Sequence, residues 1–172
     1  PLRPRSPYGA AKAAARHIVK VYRDSYNLFA VQGWLFNHEG TRRGEEFVTR
    51  KITKSVALIK KALDENRTPP PMHLGNLESK RDWGDSQDFV KAVWLMMQQE
   101  KPIDYVVASG ETHSIREFVE GALMSADIPF DAVENTNFFT GEKPALAYTL
   151  KGKPETPLVY VNPKYFRPAE VQ

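Results

Sequence analysis

A tyrosine and a lysine four residues apart, Tyr8 and Lys12, lie near the start of the sequence in the stretch SPYGAAK. On a helix this spacing puts both side chains on one face, about one turn apart. The phenol of tyrosine has an unperturbed pKa of about 10, and a neighbouring ammonium favours the phenolate and lowers that pKa. The pair therefore predicts proton transfer, with Tyr8 as the acid/base and Lys12 holding its charge and binding a cofactor hydroxyl.

The spacing alone leaves two interpretations open, a catalytic pair and an ordinary exposed helix face. Tyr160 and Lys164 have the same spacing, but Pro163 lies between them and the surrounding residues are typical of a strand. We do not expect that second pair to lie side by side on a helix. It shows that the bare spacing arises easily by chance.

Polar residues that follow a predicted strand form a second candidate site. Asn37 and His38 come directly after an apolar stretch, and α/β proteins bind ligands where such strands end. The alternative is a polar turn from strand to loop. A metal role is not predicted for His38, because no second histidine or acidic cluster lies at ligand spacing.

Several cationic residues suit a phosphate group. The pair Arg42 and Arg43 is either solvated surface charge or a phosphate site, because a planar guanidinium can form two hydrogen bonds to a phosphate. Val48 and Lys51 lie at a predicted helix N-terminus, where backbone N–H groups favour anions, although Val48 can equally belong to the core. Arg81 follows in a loop, where an arginine is usually surface charge.

The last segment, YFRPAEV, places Arg167 and Glu170 around a proline. Arginine can stack on a purine, and glutamate can accept hydrogen bonds from the N–H groups of that purine. The alternative interpretation is a charged terminal segment without a binding role. His17, His73 and His113 have no convincing partner in the sequence.

Start and stop signals predict the elements that position these residues. Ser6 can cap a helix and Pro7 suits its first turn, so a helix is expected over residues 7–26. Further helices are expected through Ile52, Val56, Ile59 and Leu63, over residues 86–100, and over residues 114–126 behind a Ser114–Glu117 capping box. Residues 27–36 read as a buried strand, 37–46 as a loop and 104–109 as a strand. This alternation predicts an α/β fold with parallel strand pairing in the first half.

Composition excludes several classes of function. The chain has 172 residues, a formal net charge of +3 and no cysteine, so disulfides and thiolate metal sites are excluded. Its basic residues are scattered, which gives little support to nucleic-acid binding. No apolar run approaches the roughly 20 residues that a membrane span needs, and we expect a cytoplasmic location.

The sequence resembles the extended short-chain dehydrogenase/reductases, and within them the GDP-mannose 4,6-dehydratase family. The resemblance rests on RSPYGAAKAAARH, FNHEGTRRGEEFVTRKIT, LGNLESKRDWGDSQDFVKAVWLMMQQE and YFRPAEV, which occur in the right order. It implies a Rossmann-like NAD(P)-binding fold, with residues 1–66 completing that domain. Residues 67–172 would complete the sheet and form most of a smaller lobe that binds the nucleotide sugar.

The resemblance also implies roles for individual residues. Tyr8 and Lys12 would be catalytic. The NADP-binding residues would be Tyr8, Lys12, His38 and Arg43. The residues that bind GDP-mannose would be Asn37, Val48, Lys51, Gly75, Arg81, Arg167 and Glu170, and Asn76 would line the same region as Gly75.

The family reaction starts with hydride transfer from C4 of the mannose ring to NADP⁺, continues with loss of water across C5 and C6, and ends with return of the hydride to C6. The family's glycine-rich NADP loop and its threonine and glutamate catalytic partners lie upstream of the tyrosine, and this sequence starts seven residues before Tyr8. We therefore expect an incomplete, inactive C-terminal piece of an enzyme whose parent is a homodimer or homotetramer. The alternatives are another nucleotide-sugar epimerase or dehydratase of the extended family, or a non-catalytic nucleotide-sugar-binding module.

Overall fold

The protein is described by a computed structural model that covers residues 2–133 and 143–166. In chain order the helices are α1 (Pro7–Tyr26), α2 (Val48–Asp64), α3 (Ser86–Met97) and α4 (Ile115–Ser125), with a 3₁₀ turn at Pro163–Tyr165. The strands are β1 (Gln32–Leu35), β2 (Asn37–Glu39), β3 (Met72–Leu74), β4 (Lys80–Arg81), β5 (Trp83–Asp85), β6 (Asp104–Val107), β7 (His113–Ser114), β8 (Phe130–Ala132), β9 (Ala145–Leu150) and β10 (Lys153–Val161). The α/β class expected from the sequence is confirmed.

The chain forms two compact units, each built from two separate stretches. The first unit comprises residues 1–40 and 82–111, and the second comprises residues 41–81 and 112–172. The expected boundary between residues 66 and 67 concerns the complete fold of the family and stays a prediction.

Helix α1 of the first unit begins and ends where the sequence predicts. The Ser6 hydroxyl accepts a hydrogen bond from the Gly9 amide at 3.0 Å, which satisfies one of the free N–H groups of the first turn. Asn27 closes the helix with a left-handed backbone at φ 52°. No residue of α1 is buried.

The strands of the first unit pair in parallel. The sequence predicted parallel pairing for the first half of the chain, and this unit also includes β6 from the second half. Strand β1 pairs with β6, and β2 pairs with β5, with His38 directly opposite Gly84. The burial expected for residues 27–36 is wrong. Only residues 32–35 form the strand, and Trp34 and Leu35 are 39% and 40% exposed.

Helix α3 also has an exposed apolar face. The helical face that carries Val90, Val93, Trp94 and Met97 is exposed, and Trp94 retains 61% of its accessible surface. The buried side chains of α3 are those of Phe89 and Met96 instead. An apolar face of this width is typical of a helix that packs against a further layer of protein.

The second unit contains a four-stranded sheet in the order β3-β10-β9-β8. Strand β10 pairs in parallel with β3 and antiparallel with β9. The capping box Ser114–Glu117 predicted for α4 is confirmed in both of its hydrogen bonds. The core consists of the buried faces of α2 and α4 and the buried residues of the sheet: Ile52, Val56, Ile59, Ala62, Ile115, Val119, Leu123, Met72, Leu74, Ala147, Tyr148, Leu158, Val159 and Val161.

Helix α2 corrects one sequence expectation. Val48 was a candidate core residue, but it is the first residue of the helix and is 37% exposed. Its neighbour Thr49 is buried, because Thr49 lies at the three- and four-residue spacing that leads to Ile52 and Val56. The buried face therefore starts one residue later than expected.

A partly buried polar network joins α4 to the sheet and to residues 75–79. The Tyr148 hydroxyl, at the centre of β9, donates to Glu120 at 2.5 Å and accepts from Arg116 at 2.9 Å. The Arg116 guanidinium also donates from Nε to the Glu78 carboxylate at 2.7 Å. The hydrogen bond from Arg116 to Glu78 thus ties the segment 75–79 to the first turn of α4.

This network predicts a pH dependence of stability. Burial, and then the hydrogen bond to Glu120, raise the pKa of Tyr148 to about 12. Because the folded-state pKa lies above the unfolded value of about 10, the stabilisation is complete below pH 10 and is lost as the pH rises towards 12. We expect the free energy of unfolding, measured with urea, to fall more steeply over this range in the wild type than in Tyr148→Phe. Equal slopes for the two proteins would contradict this assignment.

No helix in the described residues combines the length and apolar character that a bilayer crossing requires.

Candidate functional site

The predicted acid/base pair is brought together on the first half of α1. The Lys12 ammonium lies 5.6 Å from the centre of the Tyr8 ring, one turn along the same face. Tyr8 is 72% exposed, so the described residues of this chain leave most of its side chain accessible to solvent. The geometry permits Lys12 to stabilise a phenolate at Tyr8, and the exposure leaves water free to compete.

Tyr8 and Lys12 form one wall of a cavity of about 660 Å³ within the first unit. Its lining combines a phenol, an ammonium and an imidazole with apolar and aromatic surface. The main lining residues are Tyr8, Gly9, Lys12, Arg16, Trp34, Leu35 and His38. Such a mixture of apolar wall and a few polar groups is typical of cofactor sites.

His38 reaches this cavity from strand β2. Its Nδ1 lies 2.9 Å from the backbone oxygen of Phe36, and its ring stacks on Phe89 with 4.8 Å between the ring centres. Asn37, the preceding residue, is exposed at the start of the same strand. The structure thus brings His38 together with Tyr8 and Lys12, whereas Asn37 is not among the residues that line the cavity.

Polar contacts hold α1 on the β1–β6 sheet. Arg23, in the last turns of the helix, donates to the Asp104 carboxylate at 2.6 Å, and Gln32 of β1 donates to the same oxygen at 3.4 Å. The Arg16 guanidinium lies 4.8 Å from the centre of the Trp34 ring. Since α1 has no buried residue, these contacts orient the helix that carries Tyr8 and Lys12.

In the second unit, Lys51 is the best-defined candidate. Its ammonium donates to the backbone oxygen of His73 at 2.6 Å and lies 4.2 Å from the centre of the Tyr165 ring. Lys51 projects from the first turn of α2, where free backbone N–H groups add positive potential. This part of the unit can attract an anion such as a phosphate.

Gly75 is explained by a close approach of two backbone segments. A Cβ atom at this position would lie 2.6 Å from the backbone oxygen of Tyr165. The adjacent Asn76 side chain accepts from the Glu78 amide at 2.8 Å, which forms a local turn. The glycine is therefore required by the packing of the 3₁₀ turn, and its predicted contact with substrate stays a prediction.

The arginine candidates differ in their surroundings. Arg43 is partly buried, with its guanidinium 3.5 Å from the centre of the Phe47 ring, whereas Arg42 is exposed. Arg81 lies in β4, opposite His113 of β7, and donates to the backbone oxygen of Lys80 at 2.7 Å. The roles predicted for these arginines stay predictions. Arg167 and Glu170 lie outside the described residues.

Sequence reasoning missed three residues that support these candidates. Asp82 is buried and accepts from the Ser109 amide, the Ser109 hydroxyl and the Gly110 amide at 2.8 to 3.0 Å, which fixes the loop after β6. Phe89 supports His38, and Tyr165 contacts Lys51. The sequence contained a signal for Tyr165, because this residue is the first of the segment YFRPAEV. The partners of Asp82 and Phe89 depend on the tertiary fold.

No group of three or more histidine, aspartate or glutamate side chains in residues 2–133 and 143–166 could hold a metal ion.

Comparison with known proteins shows the family of this chain. The profile of the GDP-mannose 4,6-dehydratase family matches residues 1–172. The chain is 47% identical to the GDP-mannose 4,6-dehydratase of Drosophila melanogaster, with 99% of this chain and 40% of the relative aligned. It is 47% identical to the Homo sapiens enzyme, with 99% of this chain and 42% of the relative aligned.

Solved structures of other proteins share the fold. The RMD protein from Pseudomonas aeruginosa, complexed with NADPH, gives a TM-score of 0.64 at 27% identity, over 73% of this chain and 42% of that one. The UDP-glucose 4-epimerase of Thermus thermophilus, complexed with NAD, gives 0.61 at 28% identity, over 74% and 40%.

The chain spans less than half the length of the curated relatives it matches, 40% in Drosophila melanogaster and 45% in Yersinia enterocolitica. Within that span the match extends from the Tyr8–Lys12 pair to the last strand, and it includes both units. The chain belongs to the GDP-mannose 4,6-dehydratase family.

Proposed function

We propose that this chain is the C-terminal part of a GDP-mannose 4,6-dehydratase, which converts GDP-mannose to GDP-4-keto-6-deoxy-mannose with an internally recycled NADP. The observation that carries the proposal is the cavity in which Tyr8, Lys12 and His38 meet, in a chain that matches this family along its whole length. By resemblance, the parent enzyme is a homodimer or homotetramer in the cytoplasm.

The cavity has the groups that a nicotinamide dinucleotide needs. Lys12 can donate to a ribose hydroxyl, His38 can form a hydrogen bond to a polar group, and the surfaces of Trp34 and Leu35 can pack against a ring. When bound, the dinucleotide supplies the hydride acceptor and donor. Proteins that share the fold were solved with NADPH or with NAD. Arg43 does not line this cavity, and its role at the additional phosphate of NADP is proposed by resemblance alone.

The residues of this chain have separate tasks in that reaction. Tyr8 takes a proton from the C4 hydroxyl of the sugar as it is oxidised to a ketone. Lys12 stabilises the phenolate form of Tyr8 electrostatically and holds the ribose. The proton at C5 becomes acidic next to the ketone, and its removal falls to a group outside this chain, by resemblance the upstream glutamate.

The second unit is assigned to the nucleotide part of the substrate. Lys51 lies at a helix start, where both its own charge and the free N–H groups favour a diphosphate. Arg81, Val48 and Gly75 are proposed to complete the contacts of this unit to GDP-mannose. Asn37 belongs to the first unit, and its contact with the substrate is proposed by resemblance alone. Arg167 and Glu170 are proposed to recognise guanine, and this would favour GDP over UDP.

Activity is proposed to need more than this chain. Tyr8 is 72% exposed, and a phenolate in water gains less from a nearby ammonium than one in a closed site. By resemblance, the missing catalytic threonine and glutamate come from an upstream segment. We define the reconstituted enzyme as this chain preceded, in one polypeptide, by the upstream segment of the Drosophila melanogaster relative. The test of the proposed function compares product formation from GDP-mannose and NADP⁺ by the chain alone and by the reconstituted enzyme.

The rival enzymatic function is an epimerase or dehydratase that acts on another sugar nucleotide, since a UDP-glucose 4-epimerase shares the fold. The two proposals differ in the base of the nucleotide. Binding of GDP-mannose at least ten-fold tighter than UDP-glucose to the reconstituted enzyme would support the first, since a matched set of hydrogen bonds to one base discriminates by about 1.4 kcal/mol or more. Equal affinities would support the rival.

The Lys51 assignment gives a separate prediction. Lys51→Met keeps the length of the side chain and removes the charge, so we expect the affinity for GDP to fall by about ten-fold, the usual effect of losing one charged hydrogen bond. Lys60→Met is the matched control, because Lys60 lies on the same helix and pairs with Asp64 on the surface at 2.7 Å. Titration calorimetry of the reconstituted enzyme measures both. An equal loss in the two variants would contradict a specific role for Lys51.

A further inference from the structure

His38 is held in the cavity by contacts that the proposed function does not by itself explain. Its Nδ1 lies 2.9 Å from the backbone oxygen of Phe36. A carbonyl oxygen only accepts hydrogen bonds, so Nδ1 must carry the proton. In the neutral imidazole the other nitrogen, Nε2, then has a free lone pair and acts as an acceptor.

The ring of His38 is fixed by Phe89 of α3. The two rings stack at 4.8 Å with an angle of 24° between their planes, and Phe89 is buried. Gly84, which lies directly opposite His38 in the β2–β5 pair, makes room for this arrangement. A Cβ atom at residue 84 would lie 2.5 Å from Cε2 of Phe89 and would displace its ring.

We propose that Phe89 is a positioning residue which, together with the Phe36 carbonyl, holds His38 as the Nδ1–H tautomer. In this form the Nε2 atom of His38 accepts a hydrogen bond from an uncharged hydroxyl or amide group of the ligand in this cavity. In this neutral tautomer Nε2 cannot form a hydrogen bond to a fully ionised phosphate oxygen, because both atoms are acceptors. This inference rests on the proposed function for the identity of the ligand as a dinucleotide, and it assigns His38 to the nicotinamide riboside part rather than to a phosphate.

The tautomer is measured by nitrogen-15 NMR of the chain labelled at histidine, at alkaline pH where imidazoles are neutral. His38→Gln identifies the His38 signals among those of the four histidines. The wild type is expected to show a protonated Nδ1 and an unprotonated Nε2. A protonated Nε2 in the wild type would overturn the proposal, whatever the variants do.

Two variants test the role of Phe89 by different means. Phe89→Leu removes the ring, and Gly84→Ala leaves the ring in place but pushes it away from His38. Both are expected to lower the ratio of the Nδ1–H to the Nε2–H form by about 2- to 10-fold, the effect of weakening one hydrogen bond. Phe29→Leu, at an exposed phenylalanine, and Gly121→Ala, where a Cβ meets no atom within 4 Å, are the matched controls. An unchanged ratio in Gly84→Ala would overturn the positioning role even where Phe89→Leu fails to fold.

The ligand class is tested with two probes added to the wild-type chain at the same concentrations. Nicotinamide riboside, which has hydroxyl and amide donors and no phosphate, is expected to shift the Nε2 signal, whereas inorganic pyrophosphate is expected to leave it unchanged. A shift with pyrophosphate, or with neither probe, would overturn the ligand assignment. These results do not depend on turnover, so a failure of the proposed dehydratase activity is recognised separately, by the absence of product from the reconstituted enzyme.

Discussion

Tyr8→Phe is expected to lower the turnover of GDP-mannose by the reconstituted enzyme by about 10²- to 10⁴-fold, the usual contribution of one general acid/base. The substitution removes only the hydroxyl, at a residue that is 72% exposed and packs little. Stability and substrate binding should therefore remain close to those of the wild type. The loss should appear in kcat, because the proton is transferred only during the reaction.

The matched control for this variant is Tyr26→Phe. Tyr26 lies on the same helix, is 67% exposed and stacks on Tyr22, away from the cavity. It should retain turnover within about two-fold, as expected of a surface substitution. Steady-state assays of the 4-keto product measure both variants. A Tyr8→Phe enzyme with the kcat of Tyr26→Phe would remove Tyr8 from the mechanism.

Ile59→Ala is expected to lower the free energy of unfolding by about 2–5 kcal/mol, because it leaves a cavity in the core of the second unit. Ile59 is completely buried on the face of α2 that also carries Ile52 and Val56. The adjacent Leu58 is 49% exposed, so Leu58→Ala should change stability by less than about 0.5 kcal/mol. Urea unfolding followed by circular dichroism compares the two.

The contrast between these neighbours tests the register of α2. A one-residue shift of the helix would exchange the two results, with the larger loss in Leu58→Ala. Such an exchange would also move Lys51 away from His73 and Tyr165, and would contradict the arrangement proposed for the nucleotide site.

Local signals predicted the helices well. Ser6 and Pro7 marked the start of α1 to the residue, and the Ser114–Glu117 box marked the start of α4, because capping depends on side chains only three residues apart. The parallel pairing of β1 with β6 followed from the alternation of strands and helices. These features need no knowledge of distant partners.

Burial was predicted less well, because it depends on what covers a surface. Trp94 and Trp34 have large apolar side chains of the kind found in cores, yet both are exposed in this chain. In the same way, the Tyr8–Lys12 spacing predicted a shared helix face. The stack of His38 on Phe89, in contrast, joins residues 51 positions apart and requires a glycine at position 84, next to the Phe89 ring. Only the fold shows such a contact.

The most direct test of the central claim is formation of the 4-keto product from GDP-mannose and NADP⁺. We predict product from the reconstituted enzyme, little or none from its Tyr8→Phe variant, and none from this chain alone. Product from the chain alone would contradict the proposed dependence on an upstream segment. A reconstituted enzyme that is folded and binds GDP-mannose, yet forms no 4-keto product, would contradict the proposed dehydratase function.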